Sequence, residues 1–99
     1  MNSVSLVALG HAIMNKVPEI ESWVRGLDVE HRKLSDDNKR KLQEWLDWVY
    51  HRNNELRLAA LQDPNDTIIR EGPKKLDKLE CLIRSELKKN DDLNAGGRN

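Results

Sequence analysis

The sequence predicts an all-α protein, a small helical bundle built on one long central helix. Apolar residues recur at three- and four-residue spacing in three separate segments, which is the period of an amphipathic helix. The composition is 37% hydrophobic and 34% charged with no phenylalanine, so the apolar surface suffices for narrow stripes and not for a thick core. A chain of 99 residues is too short for two separate cores. We therefore predict a single helical domain over residues 1–89.

The first predicted helix covers about residues 4–25 and is broken. Its apolar stripe consists of Leu6, Leu9, Ile13, Val17, Ile20 and Val24. Pro18 lies inside this stripe, and proline lacks an amide donor and clashes with the preceding helical turn. The region is therefore predicted to be either a kinked helix or two short helices, and we favour a break near residues 15–17. Gly26 ends the second piece, because glycine readily takes the positive φ that often follows a helix C-terminus.

The central helix is predicted over about residues 36–61. Its stripe consists of Leu42, Trp45, Leu46, Val49, Leu56 and Ala60. Ser35 is a suitable N-cap, and Asp36 and Asp37 oppose the positive end of the helix dipole. At 1.5 Å per residue the helix is roughly 40 Å long, more than one short helix can cover. Either the N-terminal pieces or a second copy of the chain must cover the remainder.

The last predicted helix covers about residues 73–89, packs antiparallel to the central helix and begins at Pro73. Its stripe consists of Leu76, Leu79, Ile83 and Leu87. Pro64, flanked by aspartate and asparagine, marks a turn before it. The conformation of residues 62–72 stays open between a helical turn and an extended stretch. Residues 90–99 are polar and contain glycine, so we predict a disordered tail.

The charge distribution restricts the classes of partner. The chain carries 17 basic and 17 acidic residues, and the signs balance in each third of the sequence. This argues against a nucleic-acid binder, which normally has a basic face, and against a polybasic membrane-surface segment. No stretch approaches the roughly 18 consecutive apolar residues of a membrane-spanning helix. The single cysteine, Cys81, excludes an internal disulfide and suits a reducing compartment, so a cytoplasmic location is expected.

No motif in the sequence indicates catalysis. There is no glycine-rich phosphate loop, no CxxC pair and no HExxH. Asp47, His51 and Glu55 follow one another at four-residue steps, and they fall opposite the apolar stripe of the central helix. A salt-bridged, solvated helix face explains them better than a metal or acid–base site, which would need donors from elsewhere. We predict no enzyme activity, no metal and no cofactor.

Aromatic and arginine residues beside the stripes form the candidate contact surface for a protein partner. They are Trp23, Trp48, Tyr50, Arg52 and Arg57. In a monomer they would be boundary residues at the edge of the core. Tryptophan, tyrosine and arginine are nonetheless the residues most enriched at binding hot spots.

Three residues of the central helix are candidates for self-association: Val49, Asn53 and Leu56. Asn53 interrupts the apolar stripe between the other two. The simpler interpretation is a partly exposed gap in the stripe. The alternative is an amide that pairs across a symmetric helix interface and sets its register, as asparagine does in coiled coils.

The function predicted from these features is a small, non-enzymatic helical interaction protein. It would form a homo-oligomer, with a dimer favoured, and regulate or inhibit another macromolecule by binding it, most simply a protein. The alternative is an oligomeric binder of a small anionic ligand such as a nucleotide. Its site would draw on Arg52, Arg57, Arg25 or Lys33 at a junction between subunits.

Overall fold

The fold is a bundle of three helices, as the sequence predicts. The computed structural model describes residues 5–29 and 31–96, with side chains described as far as Leu93. The helices are α1 (Leu6–Arg25), α2 (Asp36–Gln62) and α3 (Thr67–Gly96), and the described residues include no strand. Each helix packs against the other two. The chain runs up, down and up, so α1 and α3 are parallel and α2 is antiparallel to both.

Helix α1 is continuous, so the predicted break near residues 15–17 is wrong. Pro18 lies inside the helix and is exposed, while the residues around it hold the helix in the core. Val17 and Ile20 are 3% and 1% exposed. An interior proline costs roughly 3 kcal/mol, whereas each buried side chain of this kind contributes about 1.5–3 kcal/mol. The free energy gained by burying these side chains therefore exceeds the cost of the interior proline. Residue 4, the predicted helix start, lies outside the described residues.

The connector between α1 and α2 also contributes to the core. Gly26 ends α1 as predicted, but with a φ of −71°. The positive φ falls at Asp28 instead, at 52°, and aspartate tolerates this region better than most residues. Val29 and Leu34 in the connector are buried. The buried residues of α2 extend from Leu42 to Ala59, so most of that helix is covered within one chain.

Helix α2 begins where the sequence predicts. The Ser35 hydroxyl accepts a hydrogen bond from the Asn38 backbone N–H at 3.1 Å, which confirms the N-cap. The most buried residues of the helix are Leu42, Val49, Leu56 and Ala59. Trp45 and Leu46, which we placed in the stripe, are only partly buried.

Helix α3 begins six residues earlier than predicted. Asp66 caps it, accepting from the Ile69 N–H at 3.1 Å, and its second carboxylate oxygen lies 2.7 Å from Nε2 of His11 on α1. The Ile69 N–H is the main cause that lowers the pKa of the Asp66 carboxyl, against an opposing effect of burial and with a smaller contribution from His11. This cap starts the helix at Thr67, so Pro73 lies in its interior. Residues 67–72, which the sequence left open, are helical.

The end of α3 also differs from the prediction. We expected a disordered tail from residue 90, but α3 continues to Gly96, and Asn90 is 0% exposed. The Asn90 side-chain oxygen accepts a hydrogen bond from the Leu34 backbone N–H at 2.8 Å. This hydrogen bond links the connector between α1 and α2 to α3. Residues 97–99 of the expected tail lie outside the described residues.

Ending the chain after Lys89 should lower the free energy of unfolding by about 1–3 kcal/mol, the cost of leaving a buried amide without an acceptor. A chain ending after Leu93 keeps Asn90 and loses no described buried group, so it should stay within about 0.5 kcal/mol of the full chain. Urea denaturation of the three chains measures both differences. Equal stabilities would mean that the bond from Leu34 to Asn90 contributes nothing.

The three helices pack tightly where two glycines face a leucine. A Cβ on Gly72 would lie 2.7 Å from Cδ1 of Leu56 and 3.2 Å from the sulfur of Met14. A Cβ on Gly10 would collide with Cδ1 of Ile69 and lie 3.2 Å from Cδ2 of Leu56. Leu56 and Ile69 are both 0% exposed. The absence of a side chain at Gly10 and Gly72 is what allows this crossing.

Candidate interaction surface

Two of the three residues proposed for self-association are core residues of the single chain. Val49 is 1% and Leu56 is 0% exposed, and Leu56 faces Gly10 on α1 and Gly72 on α3. Within one chain they are covered by residues of α1 and α3. Self-association through them stays a prediction.

Asn53, the third residue, is partly buried beside this core. Its side-chain oxygen is inaccessible to solvent and accepts no hydrogen bond within the described part of the chain. The partial burial agrees with a gap in the stripe, the simpler of the two interpretations. Pairing across a symmetric interface stays a prediction.

The tryptophans of the candidate contact surface are partly buried against the core. The ammonium group of Lys41 on α2 lies 5.3 Å from the ring centre of Trp23 on α1. Reciprocally, the ammonium group of Lys16 on α1 lies 5.9 Å from the ring centre of Trp45 on α2. Trp45 meets Trp48 edge to face, with ring centres 5.8 Å apart. The two lysine contacts link α1 to α2, whereas the contact between Trp45 and Trp48 lies within α2. Trp23 and Trp48 are partly buried against the core, so they are boundary residues.

Arg52 belongs to the same side of α2. Its guanidinium lies 3.2 Å from a carboxylate oxygen of Glu55, and both side chains are about one-third exposed. Buried polar atoms without a hydrogen-bond partner in the described part of the chain include Nε of Arg52, the second Glu55 oxygen and the Trp45 indole nitrogen. Arg52 is thus an intramolecular ion-pair partner and is not a free cation.

Tyr50 and Arg57 lie on the other side of α2. Tyr50 is two residues from Trp48 and therefore about 200° around the helix from it. It is 68% exposed, and Arg57 is exposed as well. The five residues predicted as one contact surface therefore separate into two groups, of which Tyr50 and Arg57 are the more exposed.

Two leucines extend the exposed group along α2. Leu58 is 52% and Leu61 is 79% exposed, the latter the largest exposure among the described large apolar side chains. Tyr50, Asn54, Leu58 and Leu61 follow one another at intervals of four, four and three residues, so they share one side of the helix. We call Tyr50, Asn54, Arg57, Leu58 and Leu61 the outer face of α2. Ile68, 47% exposed, follows just after the turn.

A groove between α2 and α3 borders the outer face. It has a volume of about 410 Å³, and its lining residues are Gln43, Leu46, Asp47, Tyr50, Glu80 and Arg84. Arg84 pairs with Glu80 at 3.3 Å, whereas Asp47 has no ion-pair partner among the described residues. Tyr50 therefore lies between the exposed leucines of the outer face of α2 and the groove between α2 and α3.

Leu58 and Leu61 were not predicted as contact residues, because they lie outside the apolar stripe of α2. Their spacing from Tyr50 was nevertheless a usable signal, since it is a second stripe of helical period on the same helix. Such a stripe predicts a second contact surface only when the buried face is known, and that requires the positions of α1 and α3.

Other kinds of site find no support in the described residues. No group of three or more histidine, cysteine, aspartate or glutamate side chains there could hold a metal ion. No helix in that part of the chain is both long and apolar enough to cross a lipid bilayer. Asp47, His51 and Cys81 are exposed.

Comparison of the chain with protein-family models, curated proteins and solved structures found no match.

Proposed function

We propose that this protein is a small, non-enzymatic helical interaction protein that regulates or inhibits another macromolecule by binding its surface. The observation that carries the proposal is the outer face of α2. Tyr50, Leu58 and Leu61 are large, mainly exposed side chains on one side of a helix whose other side packs against the core. Tyrosine and arginine are frequent hot-spot residues, and Arg57 lies among the leucines. A helix face of this kind fits a groove or a second helix.

Self-association is part of this proposal, and the outer face of α2 takes the place of Val49 and Leu56. A dimer through this face would pair Leu58 and Leu61 with the same residues of a second copy, as two-fold symmetry requires. It would leave the packed core of each chain unchanged.

The anion-binding alternative has less support. Arg52 is paired with Glu55, Arg57 lies on the outer face of α2, and Arg25 borders a groove between α1 and α3. Lys33 is exposed in the connector. The four cations named for this site do not converge within one chain.

The test replaces both leucines by arginine in a Leu58→Arg, Leu61→Arg variant. Leu93→Arg serves as the control, because Leu93 is an exposed leucine of α3. We expect light scattering at about 100 µM to give the wild type and the control a mass above the 11.5 kDa monomer, and the double variant the monomer mass. Circular dichroism should show unchanged helicity, because both leucines are exposed.

A photo-cross-linking residue at position 61, used in the cells from which the protein comes, tests binding to another protein. The proposal predicts a cross-linked partner that disappears when Leu58 is replaced by arginine. A monomeric wild type would contradict self-association. The absence of any cross-linked protein, together with a monomeric wild type, would overturn the proposal as a whole.

A further inference from the structure

A second groove, between the parallel helices α1 and α3, differs in character from the outer face of α2. Its volume is about 440 Å³, and its lining residues are Met14, Val17, Pro18, Glu21, Arg25, Lys75, Lys78 and Leu82. The floor is apolar: Val17 and Met14 are buried, Leu82 is partly buried, and the Pro18 ring is exposed. We call it the α1–α3 groove.

The rim of the α1–α3 groove is basic although the protein as a whole is neutral. Arg25, Lys75 and Lys78 face a single acidic lining residue, Glu21. Lys75 and Lys78 are three residues apart, so they lie on the same side of α3. Arg25 also borders a neighbouring cavity with Asp28 and Glu86. The two lysines therefore contribute most of the positive charge at the rim of the α1–α3 groove.

These cations lack the ion pairs that other cations of the chain make. Lys16, Arg40, Arg52, Arg84 and Lys89 each lie within 4 Å of a carboxylate three or four residues away. Within the described residues, neither Arg25 nor Lys75 nor Lys78 has such a partner. Lys78 has no acidic residue three or four positions away on its helix. Carboxylates from outside the chain can therefore reach these groups without breaking an existing pair.

We infer that the α1–α3 groove binds an acidic, amphipathic segment of a protein partner. Apolar side chains of that segment would lie on Met14, Pro18 and Leu82, and its carboxylates would meet Lys75, Lys78 and Arg25. The inference rests on the proposed function in that the occupant is a protein. It differs in using a surface separate from the outer face of α2.

The same features disfavour other anions. The lining residues include no aromatic ring on which a nucleobase would stack. The chain carries no net positive charge that would draw it to a polyanion or to an anionic membrane. Inorganic phosphate would make no contact with the apolar floor, whereas a peptide with leucine and glutamate at helical spacing can contact both the floor and the basic rim.

The test uses a short synthetic peptide with leucine and glutamate at helical spacing, labelled for fluorescence anisotropy. Two matched peptides carry lysine in place of glutamate, or serine in place of leucine. We expect measurable binding of the first peptide and at least about tenfold weaker binding of each matched peptide. Added salt should weaken the first interaction. In an NMR titration, the methyl signals of Met14 and Leu82 should shift.

The protein variants locate the site. Lys75→Glu, Lys78→Glu should weaken peptide binding at least about tenfold. The control Lys74→Glu, Lys88→Glu makes the same charge change on exposed residues of α3 outside the groove, and it should leave binding within about twofold. Equal effects of the two variants, or equal binding of the acidic and basic peptides, would overturn the inference. Displacement of the peptide by a nucleotide or by phosphatidylserine vesicles would also overturn it, by assigning the groove to another ligand.

Failure of this inference can be told apart from failure of the proposed function. Leu58→Arg, Leu61→Arg should bind the acidic peptide as the wild type does, because the outer face of α2 does not line the α1–α3 groove. A cross-linked partner at position 61 without peptide binding would retain the proposed function and refute the groove. Binding of the acidic peptide without any protein cross-linked at position 61 would support the α1–α3 groove as the contact surface, in place of the outer face of α2.

Discussion

Replacing Leu56 by alanine should lower the free energy of unfolding by about 2–5 kcal/mol, the usual cost of a large-to-small change in a packed core. Leu56 is 0% exposed and touches the positions of both close-packed glycines. Since its neighbours come from all three helices, no single helix can move to fill the cavity. Chemical denaturation of the purified variant measures the loss.

Leu58→Ala is the matched control, since it removes the same atoms two residues further along the same helix. Leu58 is 52% exposed, so the expected change is under about 0.5 kcal/mol. Similar losses in the two variants would mean that α2 is rotated about its axis relative to the structure.

Replacing Gly10 by leucine should destabilise the bundle by about 1–3 kcal/mol or more, as overpacking does. The added side chain would occupy the space of the Ile69 and Leu56 side chains, both fully buried. Leucine has a higher helix propensity than glycine, so a change governed by the backbone alone would stabilise α1 instead. The sign of the change, measured by urea denaturation, separates packing from propensity.

Two further variants make this test specific. Gly26 is exposed, has a negative φ, and a Cβ there would lie no closer than 3.4 Å to its neighbours. Gly26→Leu should therefore have little effect. Adding Ile69→Ala to Gly10→Leu should recover part of the loss, because it vacates the space that the new side chain needs. No recovery in the double variant would show that Gly10 is not in contact with Ile69.

The apolar stripes allowed the three helices to be predicted from the sequence, because burial follows the helical period closely. Ile13, Val17, Leu42, Leu76 and Ile83 are all buried as their spacing indicates. The N-cap at Ser35 followed equally directly from the residue type.

The extent of α3 could not be predicted in the same way, because several of its buried residues are not apolar. Buried positions follow at alternating steps of three and four: Ile69, Gly72, Leu76, Leu79, Ile83, Glu86 and Asn90. A pattern based on hydrophobicity omits Gly72, Glu86 and Asn90. The predicted helix therefore starts too late and ends too early. Their burial depends on what faces them: Leu56 and Met14 beside Gly72, and the Leu34 amide beside Asn90.

The candidate site was harder to predict than the fold, for a related reason. Tryptophan and arginine suit both a core boundary and a binding surface, and the sequence does not separate the two. Trp23 and Trp48 pack against the core of the chain, whereas Tyr50 and Arg57 are exposed. The α1–α3 groove unites Arg25 with Lys75 and Lys78, fifty residues later in the chain. The sequence alone does not predict this combination, because it depends on the parallel packing of α1 and α3.

The regular spacing in α3 raises the question of what stops this helix from sliding. A helix with a seven-residue pattern can shift by seven residues and still present apolar side chains to its neighbours. Here a shift in one direction would bring Leu79 to the place of Gly72, where even a Cβ has no room. A shift either way would also take Asn90 away from the Leu34 amide. Gly72 and Asn90 thus select one alignment of the three helices, while the leucines and isoleucines between them supply stability without selecting it.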